Sequence, residues 1–149
     1  MLVDGARTEV LVQSFSFTNR RIARALTAAH ARGVRVEILA DRGQTLELPG
    51  SAVPALARAG IPVWLDGNFA NAHNKMIVID AALSRATTIT GSYNFTVAAQ
   101  KSNAENVAIF RDNPDVARSY RAYFKRLQAN AVRWDGRAAP PERAGVPRR

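Results

Sequence analysis

The strongest constraint on the fold is an alternation of short apolar runs with helix-length amphipathic stretches. Residues 9–16 (EVLVQSFS) combine β-branched and aliphatic residues without a breaker, which reads as a strand. Thr18 or Asn19 can cap a helix running to about Arg32, with Ile22, Leu26 and Ala29 on one face and Gly33 as its stop. Residues 34–40 (VRVEILA) read as a second strand ending at Asp41. Gly43, Pro49 and Gly50 mark a loop, and a short helix follows over 51–59 with Pro54 in its first turn. Residues 61–65 (IPVWL) are a third strand. Strand, helix, strand, helix, strand is an α/β pattern, and parallel pairing is expected among these strands. The second half adds 73–80 (HNKMIVID) and 86–90 (ATTIT) as a hairpin, and 105–110 (ENVAIF) as a last strand. A final helix is capped by Asn113, with Pro114 at its first position and Val116, Tyr120, Phe124 and Leu127 as its buried stripe. The expected architecture is a mixed, largely parallel central sheet flanked by helices. One domain spans 1–131, and the Arg-, Pro- and Gly-rich residues 132–149 form a flexible basic tail whose start Trp134 can anchor.

At 149 residues the chain is long enough to bury a core without covalent staples. It has no cysteine, which excludes a disulfide framework, a Cys-ligated metal and a thiol nucleophile. No apolar run approaches the ~20 residues of a membrane span. Lys and Arg number 21 against 12 Asp and Glu, a net charge of +9, which favours a polyanionic partner. Composition bias contributes, since most of the basic residues are Arg.

Two histidines are present. His30 falls late in the first helix among Ala and Arg and reads as a partly exposed helix residue. His73 opens a strand and is followed two residues on by Lys75. Side chains at i and i+2 share a strand face, roughly 7 Å apart. Ile77 and Ile79 continue that face while Met76 and Val78 cover the other, so the strand is buried on both sides with its polar end at the sheet's rim. A His and a Lys there are costly unless paired or used.

The wider pattern is H-x-K-x(4)-D over His73, Lys75 and Asp80, then G-S-x-N-x-T from Gly91 to Thr96 (with Ser92 and Asn94), then Asn103-Ala104-Glu105-Asn106 before the last strand. This resembles the phospholipase D superfamily, and within it the small bacterial endonucleases that carry one such motif per chain. The stretches Ser14–Thr18, Arg32-Gly33-Val34, Ala59-Gly60-Ile61 and Gly67-Asn68-Phe69 also resemble that branch, so the likeness covers about residues 5–130.

The resemblance implies a phosphodiesterase with His73, Lys75, Asn94 and Glu105 at its centre and Ser92 near the histidine. The chemistry fits the residue types. A neutral imidazole can attack phosphorus and form a covalent intermediate. A fixed ammonium holds a non-bridging oxygen as charge builds, and Asn94 and Ser92 add neutral donors. Glu105 is expected to accept the second imidazole N–H. Asp80 reads as structural, in an ion pair, and Gly91 and Thr96 as structural members of the motif. No cofactor is implied, and no metal, since no His/Asp/Glu cluster with ligand spacing surrounds His73.

The family mechanism needs two such motifs and this chain has one, so a homodimer with a shared active site is expected. The favoured substrate is nucleic acid, DNA or RNA, cut with little sequence preference. Arg20, Arg21, Arg24 and Arg42 are possible contacts to its backbone. Phospholipid hydrolysis is the second reading, since the same histidine chemistry serves either ester. A catalytically idle nucleic-acid-binding module is the third. Members of this branch usually carry a further strand and most of a helix ahead of the point matching Met1. The N-terminal strand is therefore expected to be missing, Met1–Arg7 to be the end of that helix, and a sheet edge to be open. The branch is often periplasmic or secreted, although the chain opens without the basic and apolar leader of a signal peptide. Trp64 stands where a basic residue is common and reads as a core or interface residue, with stacking on a base as the alternative.

Overall fold

The computed structural model describes residues 1–140. After a 3-10 turn at Leu2–Gly5, the chain forms β1 (Glu9–Ser14), α1 (Arg20–Ala31), β2 (Arg35–Asp41), α2 (Arg42–Glu47), α3 (Val53–Arg58) and β3 (Val63–Asp66). It continues through β4 (Lys75–Ile79), β5 (Thr87–Gly91), α4 (Val97–Lys101), β6 (Val107–Phe110), α5 (Pro114–Gln128) and β7 (Val132–Trp134). The caps follow the sequence reading: Asn19 accepts from Arg21 and Ile22 at α1, and Asn113 from Val116 at α5.

The sheet runs β6-β5-β4-β1-β2-β3-β7. β1–β2 and β2–β3 are parallel, as the strand–helix alternation requires. The other four pairings are antiparallel, so the sheet is mixed but parallel only at its centre. The expected predominance of parallel strands fails because strand–helix–strand crossovers build only the first half of the sheet: β4 and β5 form a hairpin, and β6, reached through α4, also pairs antiparallel.

Alternation on the strands divides the core in two. Val10, Val12, Ile38, Ile77 and Ile79 face α1 and α3, packing with Leu26 and Leu56. Leu11, Leu39, Met76 and Val78 face α5, packing with Ala117 and Phe124. Of the stripe expected on α5, Phe124 is fully buried, while Val116, Tyr120 and Leu127 are half-buried. Glu9 and Glu37 share that face as buried carboxylates, paired with Arg121 and with Lys125.

Two boundaries differ from expectation. Residues 42–47 are helical because Asp41 caps them, its Oδ1 accepting from Gln44 N at 2.7 Å. The tail expected from 132 begins with a strand: β7 pairs antiparallel with β3, and Trp134 is buried with its indole N–H on the Ala138 carbonyl. Residues 141–149 of that tail lie outside the described residues. Trp64 is half-buried and carries the Arg133 guanidinium 4.6 Å over its ring, so one face is covered by a cation of the same chain. β6 closes one side of the sheet as an edge whose four residues are all exposed, Val107, Ile109 and Phe110 among them.

Candidate active site

The site lies where β1 ends and β4 begins, and Ser14 is in register with Lys75 there. Lys75 opens β4 on the same face as Ile77 and Ile79 and is only 6% exposed. Its ammonium donates to the His73 carbonyl at 2.6 Å. Burial pushes the Lys75 pKa below the ordinary lysine value, and the Glu105 carboxylate opposes that shift.

His73 is not itself in the strand. It stands exposed in the extended segment just before β4. Its backbone is fixed next door, where the Ala72 N–H donates to Asp41 Oδ2 at 2.8 Å. Asp41 therefore ties the α2 N-terminus to the segment that presents His73. Its imidazole lies against Phe15, ring centroids 4.4 Å apart and planes inclined at 59°.

The second motif faces this pair from β5 and β6. Gly91 ends β5 at φ +151°, and a Cβ there would lie 2.2 Å from the Asn106 carbonyl oxygen. Only glycine fits so close to a backbone. This approach lets Ser92 and Asn106 exchange bonds: Ser92 N to Asn106 O at 3.1 Å, and Asn106 N to Ser92 Oγ at 3.0 Å. The Ser92 hydroxyl also donates to Glu105, which takes a second bond from Asn103 Nδ2 at 3.0 Å. These bonds, Ser92 first, hold the Glu105 carboxyl below the usual carboxylate range, with Lys75 adding a smaller pull. Asn94 is half-buried, its Oδ1 without a partner among the described residues, and Thr96 caps α4 by accepting from Ala99 N.

The structure thus gathers His73, Lys75, Ser92 and Glu105 around one end of the sheet. Two expectations change. Glu105 makes no hydrogen bond to His73 within the protomer, because Ser92 and Asn103 occupy its two oxygens. Asp80 has no ion pair among the described residues. It sits at the far end of β4, where its carboxylate accepts from the backbone N–H groups of Arg7, Thr8 and Glu9 and from the Thr8 hydroxyl. Those bonds outweigh its burial and lower its pKa. Arg20, Arg21 and Arg24 are exposed on α1, but Arg42 is engaged, donating to the Pro140 carbonyl at 2.7 Å.

Sequence reasoning did not single out Asp41 or Phe15 for the site. Asp41 carries a local signal for its capping oxygen only, since Ala72 lies far along the chain. An apolar groove of about 430 Å³ beside Lys75 was also missed. Its walls, including Ile22, Ile77, Ile89, Tyr93 and Val107, come from different elements, and no single segment announces it. Among the described residues no three His, Cys, Asp or Glu side chains converge as metal ligands, and no helix is long and apolar enough to cross a membrane.

Residues 2–128 match the family described as cardiolipin synthase, PLD-like domain. The chain is 43% identical over 118 residues to a phospholipase D of Rickettsia felis, covering 79% of this chain and 56% of that protein. It is 35% identical over 123 residues to the mitochondrial cardiolipin hydrolase of Xenopus laevis, covering 83% of this chain and 56% of that one. The chain therefore spans just over half the length of these curated relatives. Nuc from Salmonella typhimurium, a phospholipase D family member, superposes with a TM-score of 0.81 at 33% identity, over 89% of this chain and 85% of Nuc. NucT from Helicobacter pylori shares the fold at a TM-score of 0.76 and 24% identity, over 89% of this chain and 86% of NucT. With its H-x-K-x(4)-D motif at the end of a mixed sheet of this topology, the chain belongs to the phospholipase D superfamily.

Proposed function

We propose that this protein is a phosphodiesterase that cleaves nucleic acid, DNA or RNA, without a metal and through a phosphohistidine on His73. The observation that carries the reading is a buried ammonium, Lys75, two residues from an exposed imidazole at the sheet's rim. In the first step an imidazole nitrogen of His73 attacks phosphorus. The N–P bond forms, the P–O bond to the leaving group breaks, and the leaving oxygen takes a proton. Lys75 stabilises the non-bridging oxygens with the Asn94 amide as a neutral donor, while Ser92, whose one hydroxyl proton goes to Glu105, holds that carboxylate in place. In the second step water attacks the phosphohistidine, the N–P bond breaks, and water's proton goes to the base that had acted as acid. The partner subunit's His73 serves as that acid and base, on a two-fold axis that joins the two sites into one.

The net charge of +9 and the exposed arginines of α1 favour a polyanionic substrate. Nuc, to which the chain is similar, supports a nuclease reading. A second reading, phospholipid hydrolysis, draws on the apolar groove beside Lys75 and on relatives named phospholipase D and cardiolipin hydrolase. The test is cleavage of plasmid and single-stranded DNA and RNA in excess EDTA by wild-type and His73→Ala protein, beside headgroup release from phosphatidylcholine vesicles. Cleavage of nucleic acid that survives EDTA and is lost in the variant is the expected result. Headgroup release without nucleic-acid cleavage selects the lipid reading. Binding of DNA with neither activity in a folded dimer refutes the enzymatic reading.

A further inference from the structure

Among the described residues the His73 imidazole has no hydrogen-bond partner; the residue takes part in one such bond, through its carbonyl. The ring lies against Phe15, with the centroids 4.4 Å apart and the planes tilted at 59°. The same phenyl ring carries the Lys75 ammonium 5.2 Å from its centroid. Phe15 therefore touches both side chains on which the proposed chemistry rests. Its backbone is held from both sides. Ser14, the last residue of β1, is in register with Lys75, and Phe17 is 2% exposed, bridged to Phe95 and packed edge-on against its ring at 5.6 Å. A ring on so fixed a stretch can set the geometry of an exposed neighbour.

An ammonium two residues from an imidazole has an obvious competing contact, an N–H donated to the ring nitrogen. That contact would occupy the lone pair that must attack phosphorus. Here Lys75 donates to the His73 carbonyl instead, and its charge rests over the phenyl face. We propose that Phe15 is a positioning residue: it packs tilted against His73 and takes the Lys75 ammonium on its own ring, leaving the imidazole nitrogen free and aimed. This inference rests on the phosphohistidine reading above.

The test compares Phe15→Leu with Phe15→Tyr, which keeps the ring. Two readouts are used: kcat and KM for EDTA-resistant cleavage, and the ring-proton chemical shifts of His73. The chain has two histidines, so a His30→Gln variant assigns them. Loss of the packed ring lowers kcat roughly tenfold with KM nearly unchanged, because orientation and not binding is lost. The His73 ring-proton resonances shift as the phenyl ring current disappears, and Phe15→Tyr restores both. A folded Phe15→Leu protein with wild-type kcat, unmoved His73 resonances, or a Tyr variant as impaired as Leu each overturns the proposal. If circular dichroism shows Phe15→Leu unfolded, Phe15→Met, close in volume and without a ring, is held to the same outcomes. Wild-type protein without metal-free cleavage, or with cleavage that survives His73→Ala, refutes the phosphohistidine reading and the catalytic part of this one. Unmoved resonances in an active enzyme refute this one alone.

Discussion

Replacing Asp80 by alanine tests whether the last residue of the motif serves the fold or the reaction. Its carboxylate is 1% exposed and accepts from Arg7 N at 3.0 Å, Thr8 N at 2.8 Å, Glu9 N at 3.1 Å and Thr8 Oγ1 at 2.9 Å. Arg7 and Thr8 are exposed, so water replaces the carboxylate there in part, whereas Glu9 is buried. Leaving the Glu9 amide unpaired costs about 1–3 kcal/mol, and each solvated bond lost about 0.5–1 kcal/mol. Asp80 also holds φ at +53°, where alanine pays roughly 1 kcal/mol and Asn very little. The expected loss is about 3.5–7 kcal/mol for Asp80→Ala, and for a chain of this size that lowers Tm by roughly 7–28 °C. Asp80→Asn keeps an acceptor and the backbone geometry and loses about 1–2 kcal/mol. Thermal unfolding measures both. The folded pKa of Asp80 is lowered, so its contribution is complete above the unfolded value near ~3.9 and fades as pH falls through the folded value. The gap between wild type and Asp80→Asn therefore closes in acid. Cleavage per folded molecule stays near wild type below the transition. An Asp80→Ala protein that melts with wild type, or one fully folded but inactive, refutes the structural role.

Gly91→Ala forces a Cβ to within 2.2 Å of the Asn106 carbonyl oxygen at a φ that side chains avoid, so β5 and β6 must separate. A loss of roughly 2–4 kcal/mol is expected in urea unfolding, with kcat falling further than stability accounts for, because Ser92 and Glu105 ride on those strands; an unchanged midpoint contradicts the close approach. The pH profile of cleavage has an alkaline limb set by Lys75, lying below the ordinary lysine value of ~10.4 because burial disfavours the ammonium. Glu105 is the charged group that opposes this, so Glu105→Gln moves the limb to lower pH and Lys75→Arg removes it, while a limb unmoved by both assigns the titration to another group.

Much of this was legible in the sequence because it was local. The caps at Asn19 and Asn113, the two-faced β4 and the hairpin that returns as β5 each depend on residues within a few positions. Gly91 could be marked as part of a motif, but its reason could not: the obstructing atom belongs to Asn106, fifteen residues on and across a strand pair. The same distance hid Asp41's hold on Ala72, Asp80's hold on the turn before β1, and the contact between Phe15 and His73. At the start of the tail, composition alone hid a strand. Arg, Pro and Gly after residue 131 signal a mobile segment, yet Trp134 supplies enough apolar surface to bring β7 onto the sheet edge beside β3.

The geometry also bears on why one motif is insufficient. Attack by His73 requires an acid for the leaving oxygen. His30 lies late in α1 against the turn at Gly60, and α1 runs antiparallel to β1, so it sits at the opposite end of the strands from His73. Glu105 is committed to Ser92 and Asn103, and its lowered pKa keeps it ionised and without a proton to give. Lys75 is needed as a charge. What the protomer does present at this end is open: His73, Ser92 and Asn106 are exposed side by side with a half-buried Glu105. In the proposed dimer, a second copy placed across that face would bring another imidazole to the phosphorus. The dimer proposed above would thus supply the missing acid at the exposed rim through one symmetric contact.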